Sequence, residues 1–238
     1  MIKKLKPLLI LLTGESNSGG LAYNSEASAI EKTVNTKLKY LNNTTLIFED
    51  YDIQKSMIGH VGYIQPIGTF HGWDLEISNL TKTNYFKNRE VYIVKTGQGG
   101  SRIIQWVAGS SYETTFNTRV NAAKALINKP HDTIILYSQG INDIVNGYPS
   151  ATWKIDTKNR INTIRTLIQS SPIVMTLFES PMPYTAYNYA MYEIANELKG
   201  IYITSTKDLS TNSGDVAHWS YASMKILAKK MLDTFFKY

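Results

Sequence analysis

Five stretches of the chain are almost wholly apolar, and each stops at glycine or polar residues. They are "PLLILLTG" (7–14), "EVYIVKTG" (90–97), "DTIILYSQG" (132–140), "PIVMTLFES" (172–180) and "IYITST" (201–206). Their apolar positions run continuously rather than alternating, the pattern of strands buried on both faces. Between and after them lie segments with helical spacing, at 116–129, 153–170, 187–200 and 220–237. In the second, Ile155, Ile161, Ile164, Leu167 and Ile168 are expected near one face. The third closes on Gly200, an expected helix C-cap.

Strand–helix alternation predicts an α/β fold, a parallel sheet covered on both faces. Sites in such sheets form beyond the carboxyl ends of the strands. The segments to examine are therefore Gly14–Gly20, Gly97–Ser101 and Gly140–Asp143. Residues 21–89 interrupt the pattern, with a short strand expected in "NNTTLIFEDYDI" and a helix starting near Trp73. No repeat or linker divides the chain, which reads as a single domain, 1–238, carrying an irregular insertion at about 21–89.

Composition narrows the chemistry. With 238 residues, 43% of them hydrophobic, there is enough apolar material for one large core. The chain has no cysteine, so disulfides, thiolate metal sites and cysteine nucleophiles are excluded. The net charge of +6 is scattered, without an arginine stripe, so neither a nucleic-acid nor a membrane partner is expected. "MIKKLKPLLILL" has the order of a secretion signal, basic then apolar. Its apolar run is short and meets no small-residue cleavage site, so it reads as the first strand. No stretch approaches the roughly 18 apolar residues of a membrane span.

The first glycine-rich segment, "TGESNSGG", holds Ser16. A hydroxyl needs a base within hydrogen-bond reach to act as a nucleophile. Of the four histidines, His131 falls at the wrong end of a strand, and His60 and His71 fall in the insertion. His218 lies in "SGDVAHWS", three residues after Asp215. That spacing lets the carboxylate turn back onto the imidazole and fix its tautomer. Donors for an oxyanion are available at the N–H groups of Gly97, Gly99 and Gly100 in "TGQGGSRIIQW", and at the Asn142 amide in "SQGINDIVNG". Each feature also has a structural reading: Ser16 as a turn residue, the glycines as a strand-to-helix turn, Asn142-Asp143 as a helix cap.

Taken together, "GESN", "GQGGS", "GIND" and "DVAH" resemble the four blocks of the SGNH hydrolases, the GDSL-type esterases. The chain is most similar to the sialate O-acetylesterase and carbohydrate esterase family six group, in which Gly-Gln-Ser-Asn replaces Gly-Asp-Ser-Leu and a Gly-Gly-Thr turn precedes a tryptophan. Here the turn is "GGSRIIQW", ending at Trp106. Glu15 and Ser101 depart from that pattern. The resemblance implies a three-layer α/β/α sandwich of the flavodoxin-like kind with a five-stranded parallel sheet. It implies a serine esterase, with Ser16, Asp215 and His218 catalytic and Ser16, Gly99 (or Gly100) and Asn142 forming the oxyanion hole. No metal or organic cofactor is needed. Glu15, Asn17, Trp106 and Trp219 are expected to bind substrate, and Trp73, Tyr148 and Tyr184 to help line the cleft. The expected substrate is an ester, an O-acetylated glycan above all. The alternatives are a lipid or aryl esterase, a thioesterase, or a silent carbohydrate-binding or virion-surface module.

Overall fold

The computed structural model describes residues 5–55, 68–180 and 184–237. In chain order the elements are β1 (Leu8–Gly14), α1 (Ser16–Gly19), β2 (Ala22–Tyr23), β3 (Asn35–Leu41), β4 (Phe48–Tyr51), β5 (Phe70–His71), α2 (Trp73–Thr81), β6 (Val91–Lys95), α3 (Ser111–Ile127), β7 (Asp132–Ser138), α4 (Ile141–Val145), α5 (Ser150–Leu167), β8 (Ile173–Thr176), α6 (Thr185–Glu197), β9 (Ile201–Thr204) and α7 (Tyr221–Lys237).

Among the described residues the central sheet has seven strands, in the order β4-β3-β6-β1-β7-β8-β9. From β3 to β9 every neighbouring pair is parallel, and β4 joins the edge antiparallel to β3. The five apolar runs are the five contiguous strands β6-β1-β7-β8-β9. The expected count of five is corrected to seven by β3 and β4, both from the supposedly irregular insertion. β3, "NTKLKYL", lies near the edge and leaves Thr36 and Lys37 exposed, so its sequence shows no unbroken apolar run. Lys39 pairs with Asp50 across this hairpin. Charges on an edge strand also discourage pairing with other chains.

The core has two halves, one on each face of the sheet. Leu8, Ile10 and Leu12 of β1 pack with Trp73 and Leu75 of α2 and Met224 and Leu227 of α7. Leu9 and Leu11 face the other way, onto Phe116 and Val120 of α3, Ile161 and Ile164 of α5, and Ile194 of α6. These are the three layers of an α/β/α sandwich. Alternation of side chains along β1 puts every residue against one helix layer or the other. Each fully buried Leu or Ile contributes about 1.5–3 kcal/mol relative to exposure. In α7, Met224, Leu227, Ala228, Met231 and Leu232 are buried at helical spacing, as its sequence predicts. In α5 the buried stripe is Trp153, Thr157, Arg160, Ile161 and Ile164, whereas Ile155 is 59% exposed. Ile155 stands six residues before Ile161, and at 100° per residue that places it on a different face.

Helix limits also shift. α3 begins at Ser111, because Ser110 accepts a hydrogen bond from the Glu113 N–H and caps it. α6 ends at Glu197, and Gly200 supplies a left-handed turn (φ +72°) beyond it rather than the cap itself. Among the described residues no helix is long and apolar enough to cross a membrane.

Candidate active site

The chain passes from β1 to β6 on one side of the sheet and returns to β7 on the other, so β1 stands at the switch point. Loops diverge there and open a crevice at the carboxyl ends of the strands. At the end of β1, Gly14 adopts φ +119°, and a Cβ there would lie 1.9 Å from the Ser138 carbonyl oxygen. Only glycine lets β1 and β7 finish side by side. The next residue locks the turn: the Glu15 N–H donates to the Ser138 carbonyl at 2.8 Å. The Ser18 hydroxyl donates back to the Glu15 carbonyl at 2.6 Å.

Ser16 opens α1 and is 5% exposed. Its Oγ lies 2.9 Å from His218 Nε2, across 202 residues of sequence. His218 Nδ1 lies 2.7 Å from Asp215 Oδ2. With Nδ1–H donating to the carboxylate, Nε2 is free to accept from the serine hydroxyl. The other carboxylate oxygen, Asp215 Oδ1, accepts the N–H groups of Ala217 at 2.8 Å and His218 at 3.0 Å. Burial alone would raise the Asp215 carboxyl. The bonds from Ala217 and His218 outweigh it and hold the group below its usual range. The Asp-x-x-His spacing thus forms a compact turn that presents the ring.

Asn17 ties this turn to the serine. Its Nδ2 donates to the Ala217 carbonyl at 2.9 Å, and its Oδ1 accepts the Trp219 N–H at 3.3 Å. The next tie is Asn212, whose side chain donates to the Leu21 carbonyl at 2.9 Å.

The turn after β6 carries Gly99, half-buried, and Gly100, exposed with φ +70°. Neither N–H donates to a partner among the described residues. Gly97, by contrast, is packed hard against α1: a Cβ on it would lie 2.3 Å from Ser18 Oγ. Ser101 anchors the turn, accepting the Trp106 indole N–H at 3.1 Å on its hydroxyl and the Gln139 amide at 2.9 Å on its carbonyl. Asp143 accepts the Ile103 N–H at 3.0 and 3.1 Å and the Gln139 amide at 3.1 Å, so it joins two loops. The Trp106 ring rests on the buried Arg160 guanidinium, 4.8 Å from the ring centre, and Arg160 also stacks on Phe116.

Asn142, in the first turn of α4, is half-buried. Its Nδ2 donates to Glu15 Oε2 at 2.8 Å. Glu15 is fully buried and also accepts the N–H groups of Ile141 at 2.9 Å and Asn142 at 3.0 Å. Burial pushes its carboxyl up to about 7; the three hydrogen bonds offset this only in part, and Asp143 nearby adds to the rise.

Ser16, Asp215, His218, Gly99, Gly100 and Asn142 are thus all carried by loops and short helices at one end of the sheet. Glu15, Asn17, Trp106 and Trp219, expected to touch substrate, are 0%, 1%, 3% and 2% exposed. The side-chain polar groups of Glu15, Asn17 and Trp106 are hydrogen-bonded inside the protein, where they brace the loops. Trp73 is likewise a core residue, at 0% exposure. Tyr148 and Tyr184 are half-buried, and the Tyr148 hydroxyl donates to Asp156. His71 is sealed against Asn24, and burial lowers it to about 4. His131 sits at the opposite end of the sheet, at the start of β7, and His60 lies outside the described residues. Sequence reasoning missed Gln139 and the bracing roles of Asn17 and Asp143. Their signal was polar residues clustered in the very turns that a buried sheet must stack. Among the described residues no three His, Asp or Glu side chains converge as a metal site.

Solved structures share the architecture. A protein from Arabidopsis thaliana superposes with a TM-score of 0.80 at 15% identity, covering 98% of each chain. A family two carbohydrate esterase from Cellvibrio japonicus has a TM-score of 0.56 at 14% identity, over 98% of this chain and 62% of that one. A salicylyl-acyltransferase of a tetracycline biosynthetic pathway has a TM-score of 0.50 at 11% identity, over 99% of this chain and 56% of that one. At such identities the likeness is one of fold. No curated protein matches the chain in sequence. A family model described as "Carbohydrate esterase, sialic acid-specific acetylesterase" matches residues 7–237, nearly the whole sequence, and the chain belongs to that family.

Proposed function

We propose that the chain is a serine esterase that removes O-acetyl groups from a carbohydrate through an acyl-enzyme on Ser16. The observation that carries this reading is the relay from Ser16 Oγ to His218 Nε2 at 2.9 Å and from His218 Nδ1 to Asp215 at 2.7 Å. A serine in a glycine turn has no structural need of a histidine that is itself held by a carboxylate. Nucleophilic catalysis does need one.

In the proposed cycle His218 takes the Ser16 proton as Oγ attacks the ester carbonyl. Asp215, kept ionised by its hydrogen bonds, stabilises the imidazolium. The tetrahedral oxyanion accepts from the N–H groups of Ser16 and Gly99 and from Asn142 Nδ2, whose second hydrogen is not used by Glu15. Each such donor contributes about 3 kcal/mol at the transition state. The His218 proton passes to the departing sugar oxygen as the C–O bond breaks. Water, deprotonated by the same imidazole, then attacks the acetyl-enzyme and releases acetate and free Ser16.

Family membership supports an acetylated carbohydrate as substrate. Ser16→Ala should abolish hydrolysis of p-nitrophenyl acetate, with an unchanged circular dichroism spectrum, and should lose labelling by a fluorophosphonate probe. Turnover retained by that variant would remove Ser16 from the role. A panel of O-acetylated sugars against longer acyl, aryl and thioesters tests the substrate: faster cleavage of the long-chain or thioester members would overturn the carbohydrate assignment.

A further inference from the structure

We infer that Glu15 is a positioning residue that holds the Asn142 carboxamide in place for the oxyanion, an inference that rests on the esterase reading above. The geometry is unusual for a residue beside a nucleophile. Its side chain turns away from the crevice, is fully buried, and crosses from the end of β1 to the start of α4. There it accepts two backbone N–H groups and the Asn142 side-chain amide, the last at 2.8 Å. Among the described residues, Asn142's side chain has no other hydrogen-bond partner. Its orientation is therefore set by Glu15.

An amide NH2 has two hydrogens. Fixing one on a carboxylate fixes the direction of the other, so an aimed donor exists before substrate arrives. Preorganisation of that kind is what gives an oxyanion donor its effect. A carboxylate suits the task, because its two oxygens accept all three donors at once. A glutamine has one acceptor oxygen, and its NH2 would have to face an N–H. The backbone of Glu15 is pinned to Ser138 at 2.8 Å, so nucleophile and oxyanion donor are referred to one anchored residue.

A simple helix cap would use the same two backbone bonds, and a double-mutant cycle separates the roles. Glu15→Ala should lower kcat by about 100-fold with KM little changed, the scale of a displaced catalytic group. Asn142→Ala should cost about 100- to 1000-fold, as for loss of an oxyanion donor. In the Asn142→Ala background, Glu15→Ala should then cost less than about twofold, because the group it positions is gone. Equal losses in both backgrounds would overturn the inference. Should Glu15→Ala not fold, Glu15→Gln is isosteric and carries the same cycle, with a loss of about tenfold expected for a partly kept bond set.

A second readout needs no turnover. In a 15N-labelled sample, the Asn142 side-chain amide protons should shift and exchange faster in Glu15→Gln than in the parent. An unmoved Asn142 signal would refute the clamp. Absence of any esterase activity in the parent would instead refute the functional reading, while the Asn142 signal still decides whether Glu15 holds the amide.

Discussion

Two carboxylates buried near the first turn of the chain behave in opposite ways. Asp74, at the start of α2, is 1% exposed and lies 3.0 Å from the Lys95 ammonium. It also accepts the Tyr51 hydroxyl at 2.8 Å and the Gly72 N–H at 2.9 Å. Glu15 is as deeply buried, but its partners in hydrogen bonding are N–H groups without net charge. Asp74 and Lys95 compensate each other and bolt α2 to the end of β6, a structural joint. Glu15 meets a cost that hydrogen bonds offset only in part, and its carboxyl is pushed up to about 7. Such a cost is tolerated where it sets a geometry, next to the serine and the amide that a reaction would use.

The largest expected way to break this contrast is Lys95→Met. It leaves Asp74 as an uncompensated buried charge and should cost about 3–5 kcal/mol in urea denaturation. Adding Asp74→Asn should recover much of that loss; no recovery would mean that Lys95 acts by packing alone.

Next in size is a pH effect at Glu15. Its folded value is above its ordinary 4.5, so the folded state holds the proton more tightly. Stability from this group is therefore greatest below about pH 4.5 and declines as pH rises through about 7. A rise from 4.5 to about 7 corresponds to about 3 kcal/mol over that window. The difference in unfolding free energy between the parent and Glu15→Gln should shrink, or reverse, between pH 4.5 and 7.5. A difference independent of pH would show that Glu15 does not titrate there.

The smallest effect is expected at Asn17, which sharpens the comparison by testing a neutral brace. Asn17→Ala removes two ties to the His218 turn and should cost about 1–3 kcal/mol of stability. It should also lower kcat for p-nitrophenyl acetate by about tenfold, the imidazole being less well placed. An unchanged kcat would show that the turn holds its shape through the Asp215 bonds alone.

The sequence by itself determined the five inner strands, because strands covered on both faces must be apolar along their whole length. It determined the covering helices through their 3.6-residue period, and it marked the loops where Ser16, Gly99, Asn142 and His218 stand. The Asp215–His218 contact was legible because it is local. Only the tertiary structure decided the rest. β4 falls in the stretch where a short strand was expected, but β3 escaped notice because a partly exposed strand next to the sheet edge needs no apolar run. The burial of Asn17, Trp106, Trp219 and Glu15 could not be read from the sequence, because burial depends on what arrives from elsewhere in the chain. For Glu15 that is an amide more than a hundred residues away. Residue type records what a side chain can bond, whereas the packing of distant segments selects which partner it meets.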